Sequence, residues 1–246
     1  MYSNRYIFTY AAVLVIVAAA LLSLAAMLLK PFQERNRAID KMRGILSSAR
    51  IENVTAENAI PLFNQYITEE LVIDPKGNVI NSYNQSPKED APAFQIDLKK
   101  QNYNREHNKP YQLPLYIAEK NGQKIYIIPM LGTGLWGPIW GNLAIASDFK
   151  TVVGSFFDHK SETPGLGAEI AKPKFQNEFI GKTIFDNNGR FTSIEVVKGG
   201  VKKLPPAQRI HGVDAISGGT LTSKGVDAMI RETLKAYLPY IKKHRH

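Results

Sequence analysis

The chain has 246 residues, 44% of them apolar and 22% charged, with a formal net charge of +9, which is enough for a membrane anchor and one domain with its own core. It has no cysteine. That excludes disulfides, thiolate-held iron–sulfur clusters and cysteine nucleophiles, so any redox chemistry must rest on a cofactor held by other groups. The basic residues are spread thinly, except for Lys242, Lys243, His244, Arg245 and His246 at the C-terminal end, a pattern that fits lipid headgroups or an acidic partner and not nucleic acid.

Residues 6–29 carry no charge and are almost wholly apolar. As a helix they would reach roughly 36 Å, against a hydrocarbon core of about 30 Å. Tyr2, Tyr6, Phe8 and Tyr10 mark one end, where aromatic rings favour the interface; Lys30 and Pro31 close the other. The run is too long for the apolar core of a signal peptide, roughly 7–15 residues, so residues 1–30 are read as a retained anchor. Arg5 stands before it, and Lys30, Arg35, Arg37, Lys41 and Arg43 after it. Counted alone, these place the following domain in the cytoplasm, but the rule is weak for long domains.

Residues 31–50 predict a helix, because Ile39, Met42, Ile45 and Leu46 recur at helical spacing. Residues 56–66 predict another, capped by Thr55 and kinked or broken at Pro61. Residues 71–80 hold two apolar runs around a Pro–Gly turn, a hairpin signal. Residues 81–110 are polar and aperiodic and read as a long loop or insertion. Strands are predicted over 124–131, 142–147, 151–159 and 190–198, and a helix over 172–182. Val226, Met229, Ile230, Thr233, Leu234 and Tyr237 form one face of a final helix. The sum is an α+β domain over residues 31–246, an antiparallel sheet with flanking helices.

Three stretches carry possible chemistry. Residues 132–137 match G-x-G-x-x-G, but Pro138 and a further strand follow where a dinucleotide site needs a helix. The segment reads instead as a tight turn, either a buried structural one or an aromatic wall for a planar cofactor or redox partner. In residues 159–167, Pro164 stiffens a turn and Gly165 and Gly167 allow a ligand to approach. His159 is read as structural, since no second histidine lies at metal-ligand spacing. Residues 214–223 place four hydroxyls and two glycines at the start of the last helix. That is either an anion site at a helix N-terminus or an ordinary cap in which Thr222 or Ser223 serves orphan N–H groups.

Ser217-Gly218-Gly219-Thr220 resembles the Ser-Gly-Ala-Thr flavinylation motif of the covalent FMN-binding domains, with Gly219 where alanine is usual. His159, Glu162, Thr163, Pro164, Gly165, Leu166 and Gly167 resemble the second signature of those domains. With the single anchor and Gly134-Leu135-Trp136-Gly137, the whole chain resembles the C subunits of Na+-translocating NADH:quinone oxidoreductases.

The resemblance implies FMN joined to Thr220 by a phosphodiester, placed there by a flavin transferase that Asp214 helps to recognise. It implies Ser217, Gly218, Gly219, Thr222 and Ser223 around the phosphate, Glu162, Thr163 and Leu166 along the ring, Lys198 as a counter-charge, and no resident metal. It also implies an electron-relaying subunit of a cytoplasmic-membrane complex, with lipid and the other subunits as partners and the flavin domain on the extracytoplasmic side. Oxidation of NADH and reduction of quinone then fall to other subunits. The rival readings are the flavin subunit of the related ferredoxin:NAD+ complex and an anchored adaptor without a cofactor.

Overall fold

The computed structural model describes residues 3–245; Tyr2 and His246, expected at the interface and in the basic end, lie outside the described residues. The first element is one helix, α1 (Asn4–Ser48). The expected break at Pro31 does not occur. An internal proline removes one N–H bond and crowds the preceding turn, at about 3 kcal/mol. Long helical stretches on both sides keep that penalty local. The apolar part of α1 is long enough to cross a membrane, and none of its best 18-residue window is buried. The chain divides into two compact units, Met1–Lys41 and Met42–His246.

The second unit is built on a six-stranded antiparallel sheet, ordered β2-β1-β3-β4-β5-β6. Its strands are β1 (Ile67–Ile73), β2 (Val79–Tyr83), β3 (Leu113–Lys120), β4 (Gln123–Thr133), β5 (Pro138–Ala146) and β6 (Val152–His159). Both faces are covered, so the central strands are apolar almost without alternation. On one face Leu115, Ile128, Met130 and Leu143 pack with the final helix, α5 (Thr220–His244). All six residues expected on its inner face are buried. On the other face lie the end of α1, where Met42, Ile45 and Leu46 are buried, and α2 (Ala59–Tyr66), whose Phe63 ring meets Tyr116 at 6.2 Å. Helix α2 starts later than expected. Asn58, not Thr55, precedes it, and Pro61 falls in the first turn, where a missing N–H is harmless.

Residues 81–110 are not one long loop. They complete β2, bury Ala91, Ala93 and Phe94, and form α3 (Leu98–Glu106). Helix α3 has no apolar stripe to betray it. It is fixed by polar contacts instead: Asp97 caps it by accepting from the Lys99 and Lys100 N–H groups, Asn102 donates to the Leu131 carbonyl, and Arg105 donates to that of Glu232.

Two other expected elements are shorter than predicted. Residues 172–182 give one α-turn, α4 (Pro173–Gln176), and a 3-10 turn. The strand expected over 190–198 is only β7 (Glu195–Val197), paired in parallel with β8 (Gly212–Asp214). Ser193 interrupts it with φ +64, fully buried and with a hydroxyl that finds no partner among the described residues. Ser193→Gly should therefore stabilise the fold by about 1 kcal/mol and raise Tm by about 2–4 °C, even after the extra freedom of an unfolded glycine. A lower Tm in calorimetry would refute this account of the position.

Candidate functional site

Three segments distant in sequence meet at one cleft. They are the β4–β5 turn (residues 134–137), the loop after β6 (160–167) and the link from β8 into α5 (215–222). Leu135, Glu162, Leu166, Gly218, Thr220 and Leu221 line a cleft of about 140 Å³. A larger groove of about 850 Å³ runs between α3, β4 and α5, but it lacks the hydroxyl-bearing helix start of the smaller cleft.

Thr220 is the first residue of α5 and is half-buried. Gly219 precedes it as the N-cap, and Gly218 takes φ +75, a left-handed conformation that glycine adopts without penalty. Leu166 lies against both. A Cβ on Gly218 would come 2.5 Å from Leu166 Cδ2, and one on Gly219 would stand 3.1 Å from Ile216 Cβ and 3.2 Å from the Leu166 carbonyl carbon. Glycine at 219 therefore suits a tight approach. The N–H groups of the first turn of α5 have no intrahelical acceptors and, with the helix dipole, favour an anion.

The other hydroxyls divide. Ser217 is exposed, whereas Thr222 and Ser223 are buried. Thr222 Oγ1 donates to Glu162 Oε2 at 2.6 Å, and Ser223 Oγ accepts from the Ile216 N–H at 3.0 Å. Both hydroxyls help to hold the segment in shape, while Ser217 lies exposed and Thr220 lines the cleft.

Glu162 is buried, and its Oε1 accepts from the Trp136 N–H at 2.8 Å. Its own N–H donates to His159 Nδ1, in keeping with a structural histidine. Thr163 is exposed, and its carbonyl accepts from the Leu166 and Ala168 N–H groups to close the turn. Residues 134–137 form the tight turn expected, closed by a Gly134 N–H to Gly137 carbonyl bond, but the turn is not buried. Leu135, Trp136, Leu166 and Leu221 are 41–64% exposed and account for half of the large apolar side chains exposed after α1. Leu221 lines the cleft without any sequence pattern to mark it; Leu135 has its place between glycines at a hairpin tip to signal it.

Lys198 is exposed at the end of β7 and does not line the cleft. The Val197↔Asp214 pair places it at the start of the link toward Ser217. Asp214 Oδ1 accepts from the Val201 N–H at 2.7 Å, and its own N–H donates to Glu178 Oε2 at 2.7 Å. Burial pushes the Glu178 carboxyl up, reinforced by the Asp214 charge and opposed by the Asp214 N–H. For an acid raised by folding, the protonated form is favoured in the native state. Stability is then lost as pH rises from the unfolded carboxylate range through the raised value. Glu178→Gln keeps an acceptor for Asp214 and should flatten this dependence, leaving the variant at least as stable as the parent at pH 7. Urea titrations at pH 4 and 7 that show a variant less stable at pH 7 would contradict it.

Flavin mononucleotide fits these residues. A half-exposed threonine oxygen meets a helix N-terminus and two glycines, which suits a phosphate. The exposed apolar side chains of Leu135, Leu166 and Leu221 line the same cleft, which suits a planar ring. When bound, FMN would supply reversible electron transfer. The cleft thus defines a flavin-binding domain behind one apolar helix of membrane-spanning length. Residues 134–235 match the model of the FMN-binding domain family. The chain is 34% identical over 217 residues to the C subunit of the Na+-translocating NADH-quinone reductase of Vibrio vulnificus, covering 86% of this chain and 83% of the relative. It is 32% identical to that of Pseudomonas aeruginosa, over 89% of this chain and 87% of the relative. The crystal structure of the same subunit from Parabacteroides distasonis superposes with a TM-score of 0.74 at 40% identity, over 87% of this chain and 96% of that one. The chain belongs to the family of Na+-translocating NADH-quinone reductase C subunits.

Proposed function

We propose that the chain is the membrane-anchored flavin subunit of such a reductase and relays electrons through FMN esterified to Thr220 Oγ. The observation that carries this reading is the sorting of hydroxyls at the start of α5. Thr222 and Ser223 are buried and committed, while Thr220 opens into the cleft beside the exposed apolar side chains. Attachment from FAD forms an Oγ–P bond, breaks the pyrophosphate P–O bond, releases AMP and passes the threonine proton to a base. Gly218 and Gly219 leave room for the phosphoryl group, Ser217 donates to it, and Leu135, Leu166 and Leu221 cover the ring. Asp214, exposed next to the motif, serves the transferase as a recognition point, and Lys198 supplies positive charge nearby. Residues 1–30 anchor the chain in the cytoplasmic membrane. The flavin domain faces the extracytoplasmic side, and the partners are lipid and the other reductase subunits. The relatives' name favours this reading over the ferredoxin:NAD+ complex.

Intact-protein mass spectrometry tests the reading. Chain produced with a flavin transferase and FAD should gain about 438 Da, the mass of FMN less one water. Bare polypeptide under those conditions would overturn it.

A further inference from the structure

We propose that Glu162 is a positioning residue. Its buried carboxylate ties the Leu135–Trp136 turn to the first turn of α5 and so sets the apolar wall against the oxygen of Thr220. The inference rests on the reading that flavin is carried at Thr220, and it assigns Glu162 no contact with the reacting atoms.

A carboxylate only 5% exposed must have donors to offset its lost hydration. Glu162 finds one for each oxygen, 26 and 60 residues away in sequence: the Trp136 N–H on Oε1 and Thr222 Oγ1–H on Oε2. Each partner sits next to a cleft residue. Trp136 follows Leu135 in the turn, and Thr222 lies two residues after Thr220 in the same helical turn.

Two glycines complete the arrangement. A Cβ on Gly134 would stand 2.5 Å from Glu162 Oε1, and one on Gly167 would stand 2.4 Å from both Glu162 Oε2 and Thr222 Oγ1. Neither glycine has a positive φ, so both are there for room and not for conformation. The carboxylate is thus enclosed by two donors and two missing side chains. The turn cannot slide along α5 without breaking a charge-assisted hydrogen bond, about twice as strong as a neutral one. Rigid support of this kind holds a site in its productive geometry.

The test uses the full chain, a flavin transferase and FAD, with Glu162→Gln, Glu162→Ala and Thr222→Val. Four quantities are read: the initial rate of the mass gain, iodide quenching of the attached flavin, hydrogen exchange at the Trp136 amide, and Tm. Glutamine can accept from Trp136 and donate to Thr222 Oγ1, so Glu162→Gln should stay within about 2-fold of the parent rate. Glu162→Ala should attach flavin about 5-fold or more slowly, leave it more open to iodide, and lose about 10-fold protection at Trp136. A Glu162→Ala protein with parental rate, quenching and Trp136 exchange overturns the proposal, as does a Glu162→Gln protein as impaired as Glu162→Ala. If Glu162→Ala does not fold, Thr222→Val decides. It keeps the shape and removes one donor, so slower attachment with greater quenching supports the tie, and parental behaviour overturns it. If the parent chain itself gains no mass, the Thr220 reading falls, and exchange at Trp136 in the Glu162 variants still decides the tie.

Discussion

Thr220→Val should abolish covalent flavin completely while leaving the fold intact. The variant's mass should stay that of the polypeptide, without the gain of about 438 Da, and its band should not fluoresce on a denaturing gel. Valine replaces the hydroxyl with a methyl group of similar size at a half-buried helix start, so the change in stability should stay within about 1 kcal/mol. The two buried hydroxyls that follow in α5 should not substitute. Thr222 Oγ1 is committed to Glu162, and Ser223 Oγ accepts from Ile216, both in buried positions. Thr222→Ala is the matching control. It should still gain the flavin mass, more slowly, because it loosens the cleft without removing the nucleophile. A fluorescent Thr220→Val band, or a dark Thr222→Ala band of normal stability, would place the linkage on another oxygen.

The parts of this site that are local in sequence are legible in the sequence alone. The apolar anchor and the inner face of α5 each follow from composition or periodicity, whereas the motif ending in Thr220 stands out only by its resemblance to a known flavinylation motif. The roles of Thr222 and Ser223 are not legible there, because a hydroxyl next to an anion site looks the same whether it faces the ligand or the interior. For Thr222 the contact with Glu162, 60 residues away, distinguishes the two, and for Ser223 its bond from the Ile216 N–H does. The turn at residues 134–137 is recognisable, but its exposure is not, since Gly-Leu-Trp-Gly has the same composition inside a core or at a cleft. Helix α3 escapes a sequence reading for a related reason. Its surface is polar all round, and what holds it is a capping aspartate and side-chain bonds to distant carbonyls, none of which leaves a hydrophobic period.

Gly225 offers a test in which two physical effects predict opposite signs. In an ordinary helix, Gly→Ala stabilises by about 0.8–1 kcal/mol, because alanine loses less backbone freedom. Here α5 lies directly on the end of β4. A Cβ on Gly225 would stand 2.2 Å from the Thr133 carbonyl oxygen and 3.3 Å from Ile139 Cδ1. Thr133 pairs with Pro138 across the β4–β5 hairpin, so its carbonyl belongs to the backbone that leads into the cleft turn and cannot rotate away like a side chain. Gly132 repeats the constraint one helical turn along, where an added Cβ would meet Met229 Cβ at 2.8 Å. The helix would have to lift off the sheet at the end that carries Thr220. Overpacking of this kind costs about 1–3 kcal/mol, enough to reverse the sign of the propensity gain. Gly225→Ala should be destabilised by about 1–2 kcal/mol and Gly225→Val by about 3 kcal/mol, the latter lowering Tm by about 6–12 °C. Because the displacement falls on the first turns of α5, both variants should also attach flavin more slowly than a control of equal stability altered far from the cleft. A Gly225→Ala protein more stable than the parent would show that propensity governs this position and that α5 does not rest on β4 as closely as the carbonyl distance requires.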